Sequence, residues 1–223
     1  MEAPVSLRNR TRQIARRLAR LYPEARSPLQ HENPLQLLVG TILSAQCTDA
    51  RVNKITPALF ARYPDAAAFA SAESAELQEA IKSTGFFRNK ARHIKACCQQ
   101  LVECHGGQVP RSMEELVRLM GIGRKSANVI LGNGFGVPGI PVDTHVGRLS
   151  RRMGLTSHKN PVKVERDLMS LVPKKVWTEF GLRLIFHGRK VCRSRRPHCG
   201  QCPLADLCPK IGVKPEHQQC SGL

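Results

Sequence analysis

Residues 121–136 of the chain read GIGRKSANVILGNGFG, a tight turn that leads directly into a helical pattern. Gly121 and Gly123 lie one residue apart, and glycine permits the positive φ and the close approach of another backbone that such a turn uses. The N–H groups of the turn and of the following helix N-terminus together favour an anion. A DNA phosphate fits such a site, whereas an ordinary turn between two helices is the alternative that a lone GxG motif leaves open.

The chain on both sides of this turn shows helical periodicity, and the period-two alternation of strands is scarce. Asn33-Pro34 and Asn160-Pro161 each open a helix, and a stripe of Leu7, Ile14, Leu18 and Leu21 predicts a docked N-terminal helix. Further helices are expected at about 49–62, 65–71, 74–83, 87–104, 144–152 and 174–190. The sequence therefore predicts an all-α fold, with a boundary in the Gly/Pro-rich stretch Gly132–Pro141 and a polar tail over the last ~10 residues.

The chain has 223 residues and a formal net charge of +18, from 35 Lys and Arg against 17 Asp and Glu. Such an excess is usually kept for an anionic partner, so nucleic acid is the leading candidate and an anionic membrane surface the alternative. No apolar run approaches the roughly 20 residues of a membrane-spanning helix, and the N-terminus lacks the apolar stretch of a signal peptide. We expect an intracellular monomer without a membrane partner, in the cytoplasm or nucleoid if it is bacterial.

The chain contains nine cysteines, and an odd number without an export signal argues for reduced thiols rather than a disulfide scaffold. Four of them lie within 17 positions, with six, two and five residues between them: Cys192, Cys199, Cys202 and Cys208. Zinc sites more often pair two C-x-x-C motifs, and only one is present here. A compact loop of four thiolates suits a [4Fe-4S] cluster better, with zinc as the alternative.

The loop between the first two of these cysteines is basic, with Arg193, Arg195 and Arg196. One interpretation is charge balance, because four thiolates outweigh the positive charge of a metal core. The other is contact with DNA phosphates by a loop that the metal holds rigid. With all four ligands supplied by the protein, such a metal centre has no open position for chemistry, so we expect it to order residues 193–198 against DNA.

Two side chains near the hairpin are candidates for covalent chemistry. Lys125 lies in the first turn of the helix after the hairpin, where the helix dipole disfavours a cation and partial burial would favour the neutral, nucleophilic amine. Such an amine forms a Schiff base with an aldehyde-like carbon, although Lys125 can equally be one more phosphate-binding cation. Asp143 is expected to cap the helix 144–152. A carboxylate near Lys125 would also stabilise positive charge on a sugar C1′ or accept a proton.

Taken together, these segments resemble the endonuclease III family of helix–hairpin–helix DNA glycosylases over most of the chain. The resemblance is carried by LSAQCTDARVNK, GIGRKSANVI, PVDTHVGRL, LIFHGR and the cysteine spacing. It implies a six-helix barrel with the helix–hairpin–helix at 27–137, and an α-helical [4Fe-4S] cluster domain formed by 1–26 and 138–223. It also implies a base-excision repair enzyme that removes oxidised pyrimidines from double-stranded DNA. Lys125 would then be the Schiff-base nucleophile for β-elimination at the abasic site, and Asp143 its carboxylate partner.

The same resemblance assigns DNA contacts residue by residue. The hairpin residues Gly121, Gly123 and Arg124 would grip the DNA backbone. Gln46 matches a wedge residue that fills the gap left by an extruded base, and Phe86 lies where the family often has an apolar wedge. A core position is the alternative for Phe86.

Two further residues, Asp49 and His145, match positions near the damaged nucleotide. Their alternatives are a helix cap for Asp49 and a local hydrogen bond for His145. The chain also departs from the family pattern in three places: Met120 instead of Pro before the hairpin, which would loosen its entry, Cys47 after the wedge Gln, and Val146-Gly147 after His145. These departures are expected to alter damage preference or rate.

Two other functions remain open at this stage. A monofunctional DNA glycosylase would use the aspartate without the lysine, and such relatives usually carry an extra C-terminal domain. A non-catalytic iron–sulfur protein that binds DNA would explain the charge and the cysteines alone. The role of Lys125 distinguishes these two functions from that of a bifunctional glycosylase and lyase, because only the bifunctional enzyme needs an amine to form the Schiff base.

Overall fold

A computed structural model describes residues 6–217, and the regular secondary structure of this range is helical throughout. It contains eleven α-helices: α1 (Leu7–Leu21), α2 (Pro34–Leu43), α3 (Asp49–Arg62), α4 (Ala66–Ser71), α5 (Ser74–Ile81), α6 (Phe87–His105), α7 (Met113–Leu116), α8 (Arg124–Gly134), α9 (Thr144–Arg152), α10 (Pro161–Leu171) and α11 (Trp177–Lys190). Short 3-10 turns lie at Lys82–Thr84, Lys174–Val176, Cys199–Gln201, Ala205–Leu207 and Pro215–His217. The all-α prediction is confirmed. The last residues of the predicted tail, 218–223, lie outside the described range.

The helices begin where side chains can satisfy the exposed N–H groups of a first turn. Asn33 accepts a hydrogen bond from the third residue of α2, whose first residue is Pro34. Thr48 and Asp65 cap α3 and α4 in the same way. α5 is shorter than predicted, because its end tightens into the 3-10 turn Lys82–Thr84.

The chain divides into two compact units, Ser27–Val137 and Met1–Arg26 together with Pro138–Leu223. In the first unit, α2 lies at the centre, since every residue from Leu37 to Leu43 is buried. α3 and α8 pack against α2, and α4 and α5 pack along α6. These helices surround one hydrophobic core and form the six-helix barrel, in which the single-turn helix α7 leads through the hairpin into α8.

The second unit packs α1, α9, α10 and α11 around a separate core. The predicted stripe on α1 is only half right, because Ile14 and Leu18 are buried but Leu7 and Leu21 are about 40 % exposed. Thr11 takes the place of Leu7 in the buried face. Its hydroxyl donates to the Leu7 carbonyl at 2.7 Å, so its burial leaves no polar group unsatisfied.

None of the helices between residues 6 and 217 combines the length and the apolar character of a membrane-spanning segment.

Candidate functional site

The hairpin between α7 and α8 uses its two glycines in different ways. Gly121 has φ +81°, and a Cβ placed on it would lie 3.0 Å from the Cβ of His93 on α6. Gly123 is the N-cap of α8 with φ −92°, a conformation open to any residue, and the space where a Cβ would stand is empty. Of the two properties that glycine offers a turn, Gly121 therefore uses the positive φ and Gly123 does not. Its missing side chain instead leaves the N-terminus of α8 open to an approaching anion.

The entry to the hairpin is held by a hydrogen bond that proline could not make. The N–H of Met120 donates to the side-chain carbonyl of Gln100 on α6 at 2.7 Å, and the amide of Gln100 donates back to the Arg118 carbonyl at 3.4 Å. Proline has no N–H. The loosening expected from Met120 is therefore offset by a contact that only a non-proline residue permits.

Lys125 is the second residue of α8 and its side chain is exposed. The partial burial expected for Lys125 is therefore not found. Exposure makes the amine accessible to a reacting carbon. Arg124, one residue earlier, is also exposed at the start of this helix.

Asp143 is the N-cap of α9, as predicted. Its Oδ1 accepts a hydrogen bond from the N–H of Val146 at 2.8 Å, and its side chain is half-buried. The bond holds the carboxylate in one orientation while its second oxygen, Oδ2, is not part of the cap. Capping and catalysis are thus compatible at this residue.

Two glycines of α11 let the segment around Asp143 approach closely. A Cβ on Gly181 would lie 2.8 Å from Pro141 Cδ, and a Cβ on Gly188 would lie 2.8 Å from Nδ1 of His145. They are seven residues apart and therefore face the same side of the helix. The sequence analysis missed this pair, although the spacing of glycines within a long helix was the signal that could have revealed it.

His145 is half-buried and makes the local hydrogen bond that the sequence argument offered as its alternative role. Arg148 donates to its Nδ1 at 3.1 Å, which requires a lone pair on that nitrogen. Burial lowers the pKa of His145, although the charge of Asp143 acts in the opposite direction. The ring is therefore held neutral, with Nδ1 engaged.

The two residues matched to wedges share an unusual backbone. Gln46 has φ 51° and Phe86 has φ 48°, and both side chains are exposed, Phe86 to 62 %. A core position for Phe86 is therefore wrong. Asp49 is the first residue of α3 and is half-buried, but the cap of that helix is Thr48, so the helix-cap alternative for Asp49 is also wrong. Gln46, Phe86 and Asp49 all belong to the unit Ser27–Val137.

The four cysteines of the C-terminal loop line one cavity. Among the described residues, no three His, Cys, Asp or Glu side chains converge closely enough to hold a single metal ion. The four thiols thus line one shared cavity without converging on a single point, as the corner ligands of a multi-iron core do. The donor set and the cavity both fit a [4Fe-4S] cluster better than zinc.

The sulfur atoms already have the N–H donors that iron–sulfur centres use. Arg152 donates to Cys192 Sγ and the backbone N–H of Lys210 to Cys208 Sγ, each at 3.4 Å. Burial raises the pKa of Cys202 to about 11, and it also raises the pKa values of Cys199 and Cys208. These thiols therefore hold their protons at neutral pH until a metal displaces them.

His187 lies behind Cys202 and is completely buried. Its Nδ1 is 3.1 Å from the hydroxyl of Tyr22, and its Nε2 is 3.4 Å from Cys202 Sγ. Burial lowers the pKa of His187 to about 4, so the ring is neutral and carries one N–H. With the Tyr22 hydroxyl donating to Nδ1, that N–H points from Nε2 to the sulfur.

Arginines hold the backbone on both sides of the cysteine loop. Arg152 on α9 donates to the carbonyls of Arg193 and Ser194 at 2.7 and 2.6 Å. On the other side, Arg10 of α1 donates to the Leu207 carbonyl and Arg17 to the Pro203 carbonyl, each at 2.9 Å. The basic charge predicted an anionic partner, but these arginines show that part of it is structural. Arg193, Arg195 and Arg196 themselves are exposed.

Two family models match different parts of the chain. The model of the HhH-GPD superfamily base excision DNA repair proteins matches residues 39–174, and that of the iron-sulfur binding domain of endonuclease III matches residues 192–208. The endonuclease III of Synechocystis sp. is 54 % identical over 205 residues, covering 92 % of this chain and 94 % of the relative. That of Bacillus subtilis is 47 % identical over 189 residues, with 84 % and 86 % covered.

Solved structures of DNA repair proteins also match the fold of this chain. A trapped endonuclease III–DNA covalent intermediate, an estranged-adenine complex, superimposes with a TM-score of 0.86 at 41 % identity, covering 94 % of this chain and 97 % of that one. A thermostable thymine-DNA glycosylase matches with a TM-score of 0.82 over 90 % and 96 % of the two chains, but at 22 % identity it supports the fold alone.

Proposed function

We propose roles for individual residues from the premise that this chain belongs to the endonuclease III family of helix–hairpin–helix base excision DNA repair proteins. It is a DNA glycosylase and abasic-site lyase, and it carries a [4Fe-4S] cluster. The proposal concerns which side chains perform each step, which DNA the enzyme acts on and which residues hold the cluster.

Lys125 is the nucleophile in this proposal. Its neutral amine attacks C1′ of the damaged nucleotide, the glycosidic bond breaks, and the base leaves with a proton. The bound nitrogen then loses a proton as the C1′–O4′ bond breaks and O4′ is protonated, which opens the sugar ring and gives the Schiff base. The Schiff base acidifies C2′, so loss of a C2′ proton expels the 3′ phosphate by β-elimination, and water then releases the lysine. The observation that carries the assignment is the exposed amine at the start of α8, directly after the hairpin.

Asp143 is the carboxylate partner of this chemistry. A carboxylate stabilises the positive charge that develops at C1′ as the base departs, and it can accept the proton that the lysine must lose. The bond from Val146 N–H to Oδ1 supports this role, because it holds the group in place without requiring it to be protonated. Lys125 and Asp143 thus supply an amine and a base, the two groups that the reaction needs.

The partner is double-stranded DNA that contains an oxidised pyrimidine or an abasic site, and the enzyme acts as a monomer. The hairpin residues Gly121, Gly123 and Arg124 bind a phosphate with backbone N–H groups and a cation. Gln46 and Phe86 enter the duplex as the base is extruded, and Asp49 and His145 lie beside the damaged nucleotide. The exposed loop residues Arg193, Arg195 and Arg196 bind the DNA backbone.

The cluster is held by Cys192, Cys199, Cys202 and Cys208, which line one cavity. It supplies no open coordination position when all four ligands are cysteines, so its role here is to order the loop that carries the three arginines. Unpaired thiols among the described residues support an intracellular location.

Borohydride trapping on damaged duplex DNA tests the assignment of Lys125 as the nucleophile. Wild-type protein is expected to form a covalent complex that Lys125→Ala cannot form. Lys163→Ala is the matched control, since Lys163 is also exposed in the first turn of a capped helix, α10. Trapping by Lys125→Ala at the wild-type level would overturn the role of Lys125. Base release without strand cleavage by the wild type would indicate the monofunctional reaction, and salt-sensitive binding without any reaction would indicate a non-catalytic protein.

A lesion panel tests the substrate class. We expect cleavage of duplexes that carry thymine glycol or dihydrouracil, and of a duplex with an abasic site, over those that carry uracil or 8-oxoguanine. Preference for 8-oxoguanine would contradict the assignment to oxidised pyrimidines.

A further inference from the structure

Lys90 on α6 is a buried ammonium group with backbone partners. Its side chain is 4 % exposed, and Nζ donates to the carbonyl of Leu43 at 2.8 Å and to the carbonyl of Thr84 at 2.9 Å. Burying an amine is costly unless it is hydrogen-bonded. Burial lowers the pKa of Lys90, while the nearby thiol of Cys47 acts in the opposite direction.

Both acceptors lie at the ends of helices. Leu43 is the last residue of α2, and Thr84 is the last residue of the 3-10 turn Lys82–Thr84. The final carbonyls of a helix lack partners within it and carry partial negative charge. One ammonium group therefore satisfies two helix ends that are separated by 41 positions in the chain and would otherwise be independent.

Each of these helix ends is followed at once by a wedge residue. Gln46 comes three residues after Leu43, and Phe86 comes two residues after Thr84. In the part of the chain that the structure describes, three residues other than glycine have positive φ: Gln46, Phe86 and Lys210. Such a conformation costs about 1 kcal/mol or more and persists only when the surroundings impose it.

We propose that Lys90 is a positioning residue that holds segments 44–47 and 84–87 at a fixed separation, so that Gln46 and Phe86 enter the duplex together. This inference rests on the proposed wedge roles of those two residues. Extruding a base costs a few kcal/mol. Wedges that are already in place lower the cost of reaching the extruded state, because no segment has to be ordered during the step.

Lys95 provides a matched control on the same helix. It is half-buried, and its Nζ also donates to a backbone carbonyl, that of Ala72 at 2.8 Å. Ala72 is the C-cap of α4, which is not followed by a wedge residue. Lys95→Met therefore removes a comparable lysine–carbonyl bond from the same core without touching segments 44–47 or 84–87.

The test compares two substrates in one duplex sequence. One contains dihydrouracil, which must be extruded and excised, and the other contains a preformed abasic site, which needs no base extrusion. We expect Lys90→Met to lower excision of dihydrouracil by about tenfold or more while borohydride trapping at the abasic site falls by less than about threefold. Lys95→Met should change both rates equally. Equal losses on both substrates in Lys90→Met would overturn the proposal.

Hydrogen exchange gives a second readout that a general loss of stability would not reproduce. Lys90→Met should accelerate amide exchange in residues 44–48 and 84–88 selectively, whereas uniform acceleration across 27–137 contradicts the proposal. If Lys90→Met does not fold, Lys90→Gln replaces it. The amide is one bond shorter than the lysine side chain, and a smaller loss with the same substrate selectivity is expected.

A double-mutant cycle with Phe86→Ala separates this inference from the wedge assignment. If Lys90 acts through the wedge, Lys90→Met should add less than about twofold to the loss in Phe86→Ala. If Phe86→Ala and Gln46→Ala each leave excision unchanged, the wedge roles fail and the inference fails with them. If those two variants lose excision but Lys90→Met shows no selective loss, the inference alone is wrong.

Discussion

The hairpin at 117–123 and the cysteine loop at 192–208 are two segments proposed to bind the DNA backbone, and they are held in place by different means. The hairpin is held by two side chains of α6, since Gly121 packs on His93 and Gln100 bonds to the N–H of Met120 and to the carbonyl of Arg118. The cysteine loop buries one large apolar side chain, Leu204, and its backbone is held by arginines from α1 and α9. In our proposal, four cysteines of the loop also bind the cluster. A segment with its own packing should form without a cofactor, whereas one that depends on metal ligands should not.

Among these substitutions, loss of one cluster ligand should have the largest effect. The loss of local structure should be confined to the cysteine loop. In Cys202→Ser, the cluster is expected to be lost together with about 3 kcal/mol or more of unfolding free energy in the unit that contains it. Visible absorbance reports the cluster, and hydrogen exchange compares residues 192–208 with 113–134. Equal loss of protection in both segments would show that the hairpin also depends on the cluster. Cys104→Ser is the control, because Cys104 is an exposed thiol outside the loop.

Alanine substitutions at the two hairpin glycines should distinguish the effect of backbone conformation on stability from the effect of access to the N-terminus of α8 on DNA binding. Gly121→Ala places a Cβ against His93 at positive φ and should cost about 1–3 kcal/mol of stability, measured by denaturant unfolding. Gly123→Ala should change stability by less than about 1 kcal/mol, since its φ suits any residue. It should nevertheless weaken DNA binding, because a methyl group would stand at the N-terminus of α8. Equal stability losses in the two variants would refute this distinction.

Removal of Arg152 should loosen the cysteine loop without removing a ligand. Arg152→Met deletes the bonds to the Arg193 and Ser194 carbonyls and to Cys192 Sγ, each worth about 1 kcal/mol. We expect faster loss of visible absorbance in the presence of a chelator. DNA affinity should also fall, with a shallower dependence on salt, as the loop arginines lose their fixed positions. Arg166→Met, at an exposed position on α10, is the control, and equal rates of cluster loss in both variants would contradict a role for Arg152.

The buried thiol of Cys97 in the barrel should make the stability of the folded protein depend on pH in the alkaline range. Burial raises the pKa of Cys97 from its ordinary value of 9.0 to about 12. A raised pKa stabilises the folded protein below pH 9, and this contribution is lost as the pH rises from 9 to 12. At pH 10 the loss amounts to about 1.4 kcal/mol in wild type relative to Cys97→Ala. Parallel pH profiles of the two proteins in denaturant unfolding would show that Cys97 does not contribute.

Much of the helical fold is readable from the sequence, because its signals are local. Caps such as Asn33 and Asp143, and apolar spacing such as that of α2, act between residues three or four apart. The hairpin and the cysteine loop are also compact segments, and the side chains matched to the family lie within short motifs. The predicted limits of α3 and α9 agree with the structure for this reason.

Contacts between segments that are far apart in the sequence could not be predicted from local patterns. Nothing near Lys90 in the sequence indicates that it joins the ends of α2 and of the 3-10 turn Lys82–Thr84. The same holds for Arg10 and Arg17, which look like members of a basic surface but bind carbonyls of the cysteine loop almost 200 residues away. A charged residue has the same local signal whether it faces solvent, a phosphate or a backbone carbonyl.

The sequence by itself determined the all-α class, most of the helix starts, the hairpin and the four-cysteine loop, because each depends on residues that are close in the chain. The predicted start of α11 at 174 was wrong, since residues Lys174–Val176 form a 3-10 turn and the helix begins at Trp177. Only the tertiary structure decided that Lys125 is exposed and that Phe86 stands out of the core in a left-handed conformation. It also decided which basic residues are structural. Burial and hydrogen-bond partners depend on what the rest of the chain places around a residue, and that is settled only when distant segments pack together.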